Sequence, residues 1–206
     1  MTLLPPPAAF GTPLELRPAP QVLEFLARRR SASALTLAEP APSVEELEVL
    51  FRLAARVPDH GKLAPWRFIV AESADKARLV ERLDALARSR GDANLSAKLG
   101  KLRVPPLAVF VVSSPKPGDI PEWEQQLSAG AVCTTLLYAA LAMGYGANWI
   151  TDWYSYEPPA AAIIGLAAGE RVAGCVLIGT PREAPLERDR PQPQGLVTRW
   201  RDPADT

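Results

Sequence analysis

From Gln125 to Thr151 the chain reads QQLSAGAVCTTLLYAALAMGYGANWIT, 27 residues without one Asp, Glu, Lys or Arg in a protein whose charged fraction is 22%. A run of that kind has to be sheltered from water, and three solutions exist. A membrane span needs about 20 strongly apolar residues. This run is long enough, but it carries Ser128, Gly130, Thr134, Thr135, Gly144, Gly146 and Asn148 and has no large block of Leu, Ile or Val. A secretory signal would stand at the N-terminus. The third solution is a helix covered by protein on every face, with Ser128, Ala129, Gly130, Ala131, Ala139, Ala140 and Ala142 small enough to let other helices come close. Gly144-Tyr145-Gly146 would end it, because glycine takes the left-handed cap conformation without steric cost. ANWIT then reads as a core strand.

A chain of 206 residues can bury a sizeable core as a single domain. Its 23 Lys and Arg are balanced by 23 Asp and Glu, so the basic excess that nucleic acid or an anionic membrane demands is missing. Two cysteines and one histidine are too few for a Cys/His metal cluster. Cys133 and Cys175 both fall in apolar runs and read as structural thiols. Nothing suggests export, so the reducing cytoplasm is the expected compartment.

Residues 1–20 hold six prolines and no helical period, which predicts an extended arm. A domain over 21–180 and a second proline-rich, extended arm over 181–206 complete the expected organisation. QVLEFLARRR is a short helix. Ser43 with Glu46 three residues on forms a capping box for a helix running to Arg56. PDHGKLAPW is a loop by its Pro and Gly content, and WRFIVA is a strand. Ser73 is expected to cap an amphipathic helix, and a second polar helix is expected over Ala93–Leu102. LAVFVVSS and RVAGCVLIGT read as buried strands, with the short helix AAAIIGLA between them. Helices and strands mix as one sheet of four or more strands with helices around it, which is α+β. No GxGxxG follows the first strand, and the Walker, HExxH and CxxC patterns are absent.

Three clusters could carry chemistry. Arg28-Arg29-Arg30-Ser31 closes a helix: either a solvated basic end that complements the helix dipole, or a phosphate clamp of planar guanidinium forks with an added hydroxyl. Arg56 with Pro58-Asp59-His60-Gly61-Lys62 holds the only histidine of the chain. A lone histidine is more often structural, yet a glycine-flanked loop with Asp, His and Lys is an unusual setting for that role, and no Ser or Cys accompanies it in a way that suggests a nucleophilic triad. Trp149-Ile150-Thr151 is either core strand or a flat wall against a flat ligand.

The order of these pieces resembles a known family. RRSxS near the N-terminus, RxPDHxxxxPW, WEQxxSAG, GxGxxW and a late strand ending GTP are similar to the FMN-dependent nitroreductase superfamily, above all its compact, YdjA-type NAD(P)H nitroreductases, over roughly Val22 to Thr180. The resemblance implies a mainly antiparallel sheet flanked by helices, an interlocked homodimer, and FMN at the interface as a site shared between subunits. It implies that Arg29, Arg30 and Ser31 bind the FMN phosphate and ribityl end, and that Arg56 contacts FMN from the same subunit and His60 from the partner. Trp149, Ile150 and Thr151 would line the isoalloxazine. Ala139, Ala140, Leu141, Ala142, Met143 and Gly144 would match a segment assigned to NAD(P). The implied activity is ping-pong transfer from NAD(P)H to FMN and on to a nitroaromatic, quinone or similar flat acceptor. A flavin-binding storage or sensing protein with little turnover is the alternative. Lys62 and Ala64 stand where larger members carry Asn and Gln, and Ile150 stands where close relatives carry Arg.

Overall fold

The computed structural model describes residue 4 and residues 6–202; the outermost parts of both expected arms, 1–3, 5 and 203–206, lie outside the described residues. The fold is organised by its most apolar strand. Leu107–Ser113 (β3) is buried along its whole length, as a strand covered on both faces must be. It pairs antiparallel with Trp66–Glu72 (β2) on one side and with Arg171–Pro181 (β5) on the other. The long β5 also pairs with Gly146–Ile150 (β4), and its end pairs with the two-residue strand Leu37–Ala38 (β1), which the sequence pattern does not announce. All pairings are antiparallel.

Alternate side chains of these strands feed two cores. Ala108, Phe110, Cys175 and Leu177 face one, and Leu107, Val109, Val111, Val176 and Ile178 face the other. The two cysteines are free and buried, one in each core. Ser73–Ser89 (α3) and Pro158–Ile164 (α7) cover the first core. The polar segment expected as a single helix over Ala93–Leu102 is two short helices, Ala93–Lys98 (α4) and Gly100–Arg103 (α5), broken at Leu99. Ser73 is not a cap. It stands at φ 47° inside the helix start, and no side chain caps that end.

The second core is covered by Val44–Ala54 (α2) and Glu122–Ala142 (α6). The capping box of α2 is formed as expected: Ser43 Oγ accepts the Glu46 N–H at 3.3 Å, and the Ser43 N–H donates to Glu46 at 2.8 Å. The charge-free run is α6 and β4, joined by a left-handed Gly144. The Gly144 N–H donates to Leu141 O and the Tyr145 N–H to Ala140 O, both at 3.0 Å, which is the Schellman closure of a helix.

One expectation fails within the single chain. The sheet and α2 cover only the face of α6 that carries Gln125, Ser128, Ala129, Val132, Cys133, Leu136, Leu137 and Ala140, the 3–4 spacing of an amphipathic helix. The opposite strip is open: Trp123 is 67% and Leu127 54% exposed, and Gly130, Thr134 and Tyr138 are half-buried. Pro20–Arg28 (α1) likewise buries no residue, although Val22, Leu23 and Leu26 line one side. Neither α6 nor any other described helix is long and apolar enough to cross a membrane.

Candidate functional site

The segment after α1 is tied to the edge strand β4. The Ala32 N–H donates to Ala147 O at 3.1 Å, and Asn148 Nδ2 donates to Ala32 O. This pairing sets Arg30 and Ser31 beside Trp149 in one groove of about 650 Å³, closed on its far side by Glu183–Arg188. Arg30 is engaged by that wall. Its Nε donates to Leu186 O at 2.9 Å and lies 3.6 Å from a Glu187 carboxylate oxygen.

Arg29 lies over the Tyr138 ring of α6, 5.4 Å from its centroid, and one terminal nitrogen donates to Ser31 Oγ at 3.3 Å. Its Nε is buried and has no hydrogen-bond partner among the described residues. A buried cationic donor without an acceptor costs free energy, so this corner is chemically incomplete and suited to an anion. Trp149, in the groove with Arg30 and Ser31, packs on Gly174 of β5. A Cβ built there would overlap the indole, with Cε2 at 2.8 Å. An isolated glycine in an apolar strand signals such a close approach, and it is the trace by which RVAGCVLIGT could have yielded this position.

A second cluster forms at the other end of α6. Asp59 gathers the loop by accepting the N–H groups of Leu63 at 3.2 Å and Ala64 at 2.8 Å. Gly61, Lys62 and Ala64 all take positive φ, which two of them adopt against a steric cost. Ser128 of α6 donates to Pro58 O at 2.8 Å and accepts Trp66 Nε1–H at 3.2 Å, pinning the loop to helix and sheet. His60 Nδ1 meets Glu124 at 2.7 Å and stays 65% exposed. Arg56 is exposed just before this loop. It lies toward the His60 end of α6, because α2 runs antiparallel to α6: Tyr145, past the end of α6, donates to Glu46 at the start of α2 at 2.7 Å.

The two clusters do not meet. Glu124 and Tyr138 are 14 residues apart on one helix, about 21 Å. Within a chain, Arg29, Arg30, Ser31 and Trp149 therefore form one group and Arg56, His60 and Lys62 another. The side chain of Ile150 turns to the opposite core, where it packs against the α3 layer. Thr151 is exposed and accepts the Tyr156 hydroxyl at 2.5 Å. Ala139 and Ala140 are buried in the core under α6, so they offer no surface to a dinucleotide; Leu141, Ala142, Met143 and Gly144 reach the outside.

The sequence pattern of the nitroreductase family matches residues 26–180. The chain belongs to the nitroreductase family. Among curated nitroreductases it is 33% identical over 180 residues to "Putative NAD(P)H nitroreductase YdjA" of Escherichia coli, covering 85% of this chain and 97% of that one. It is 35% identical over 165 residues to "Putative NAD(P)H nitroreductase" of Haemophilus influenzae, covering 78% and 89%. Solved nitroreductase structures share the fold. A nitroreductase-like family protein from Bacillus cereus superposes with a TM-score of 0.78 at 21% identity over 91% of this chain and 99% of the other. A nitroreductase with bound FMN from Bacteroides fragilis gives 0.67 at 21% identity over 88% and 99%. The antiparallel sheet flanked by helices is thus the nitroreductase fold. Asn148 in the groove wall, Tyr138 against Arg29 and Gly174 against Trp149 are candidate site neighbours that the motifs do not mark.

Proposed function

We infer that this chain is an FMN-dependent oxidoreductase that takes hydride from NAD(P)H in one half-reaction and reduces a flat acceptor, such as a nitroaromatic or a quinone, in a second. The observation that carries the reading is the buried, unpartnered Nε of Arg29 beside Ser31, a residue that lines the groove with Arg30 and Trp149. A phosphate accepts hydrogen bonds only and matches a guanidinium fork, so the FMN phosphate fits this donor set. The names of the curated relatives and the FMN held by the Bacteroides fragilis protein support the same cofactors. When bound, FMN would supply the hydride and electron chemistry that no side chain of this protein provides.

The chain's own groups position and shield. Arg29, Arg30 and Ser31 hold the phosphate end. Trp149, Thr151 and the backbone at Ile150 border the ring. Leu141–Gly144 offer a surface to the nicotinamide donor. Arg56, His60 and Lys62 stand too far along α6 to join that group in one chain. Two copies paired through the open strip of α6 and running in opposite directions would bring the far end of one helix to the near end of the other. His60 then comes from the partner subunit. Arg56, expected to act within its own subunit, goes with it. A cytoplasmic homodimer with shared sites follows from this reading, with residues 1–20 as an arm outside the catalytic domain and the arm over 181–206 contributing 183–188 to the wall of the groove.

The visible spectrum of the purified protein tests the proposal. A yellow protein that bleaches with NADH or NADPH under argon and recovers colour on addition of a quinone is the expected outcome. A colourless protein that takes up no added FMN would overturn it, and bound flavin that NAD(P)H leaves oxidised would leave a storage or sensing protein.

A further inference from the structure

On the opposite face of the sheet from α6, a cleft of about 640 Å³ opens between the start of α3, the turn before β3 and the end of β5. Nothing in the proposed reaction uses it. Its polar groups are unusual in how they are committed. Lys76, on the first turns of α3, is 94% covered, as its exposure of 6% records. Its Nζ donates to Leu102 O at 3.0 Å and Arg103 O at 2.7 Å, which leaves one of the three ammonium hydrogens without a protein acceptor. Burial pushes its pKa down from the ordinary lysine value, the direction expected where a cation lacks a compensating anion. Arg103 and Arg182 stand at the rim, and neither guanidinium has a hydrogen bond or ion pair among the described residues.

Three carboxylates line the same cleft, and one of them is paired with a cation from outside it. Asp84 accepts Ser96 Oγ–H and an Arg88 guanidinium N–H, both at 2.6 Å, and Glu39 accepts the Ala41 N–H at 2.8 Å. Glu39 and Glu81 form no ion pair among the described residues. The free charge of the cleft is therefore two guanidiniums and a buried ammonium against two carboxylates. Between them lies apolar surface from Leu37, Val80, Val104 and Pro106.

We propose that this cleft binds an organic carboxylate with an apolar body, its carboxylate held by Arg103 and Arg182 above Lys76 and its hydrocarbon part laid against Val80, Val104 and Pro106. The apolar walls favour a carboxylate that brings carbon with it over a bare ion. The cleft shares no lining residue with the groove of Arg30 and Trp149, so the proposal stands independently of the flavin reading.

Titration calorimetry of the purified full-length protein with octanoate, octanol and inorganic phosphate tests it, since heat reports binding whether or not flavin is present. Octanoate should bind saturably with a Kd of about 1 mM or tighter, and octanol and phosphate at least about tenfold more weakly. Arg103→Ala and Arg182→Ala should each weaken octanoate by about tenfold to a hundredfold, the usual effect of losing a charge-assisted hydrogen bond. Both side chains are exposed, so these variants keep the fold, which circular dichroism checks. Arg78→Ala, on the same helix but outside the cleft, should bind as the parent does. The proposal fails if octanoate shows no saturable binding at about ten times that concentration, if the double variant Arg103→Ala/Arg182→Ala binds it undiminished, or if phosphate or octanol binds as tightly.

Discussion

Arg29→Met separates a binding residue from a structural one by the sign of two effects. Methionine keeps most of the apolar stem and removes the guanidinium. In the protein without flavin, the buried Nε has no acceptor, and an unsatisfied buried donor costs about 1–3 kcal/mol. Against that relief stands the loss of the stacking on Tyr138 at 5.4 Å, about 0.5–1 kcal/mol for a partly exposed cation–π pair. The long hydrogen bond to Ser31 at 3.3 Å adds about 0.5 kcal/mol at the low end of the usual range. These contributions nearly cancel, so apoprotein stability should change by less than about 1 kcal/mol, with a lean toward stabilisation. Flavin affinity should fall about tenfold to a hundredfold, because the lost contact to phosphate is charge-assisted. Urea unfolding of the apoprotein and titration of FMN by fluorescence quenching measure the two quantities. A loss of about 2 kcal/mol or more in apoprotein stability with unchanged FMN affinity would refute the argument and make Arg29 a packing residue.

Mixed dimers of His60→Ala and Arg30→Ala subunits should regain up to half the activity per dimer, because one shared site then carries both defects and the other neither. No recovery, with heterodimers shown to form and both parents inactive, would place the two residues in one subunit's site. Gly174→Ala should destabilise by about 1–3 kcal/mol through overpacking against the Trp149 indole, and in a Trp149→Ala background most of that cost should vanish. Glu170 is held down to about 2, first by its hydrogen bond from Arg67 and also by the Ala167 N–H. Its carboxyl pKa is depressed in the folded state, so its contribution is complete above about pH 4.5. It is lost as pH falls toward 2. The pair should be worth about 1–2 kcal/mol, because Arg67 is 40% exposed and screened. Arg67→Ala should lower stability at neutral pH and flatten the acid limb of the urea midpoint; an unchanged limb would refute the pairing.

The local elements were legible because their causes are local. The α2 start is written in Ser43 and Glu46, the α6 end in Gly144, and β3 in a run of apolar residues too short for a helix and flanked by prolines. The misses have equally local reasons. Ser73 has the right chemistry for a cap, but the turn out of β2 places it inside the helix start at positive φ. Leu99 interrupts the polar helix at the point where it drops into the core with Leu102. The two-residue β1 carries no period at all and exists only because the end of β5 offers it partners.

The sequence by itself determined the fold class, the buried strands, the central helix and the residue types of the candidate site, because hydrophobic period, capping chemistry and motif order are properties of neighbours along the chain. It could not determine which of those residues meet. That depends on the antiparallel packing of α2 on α6, which puts Arg56 toward the His60 end of α6. It also depends on the length of α6, along which Glu124, the partner of His60, and Tyr138, the partner of Arg29, are about 21 Å apart. Strand alternation likewise turned Ile150 to one core while Trp149 stayed in the groove over Gly174. Only the tertiary structure decided these, since a contact between distant residues is set by the direction in which each element is laid down, and a one-dimensional pattern carries no such direction.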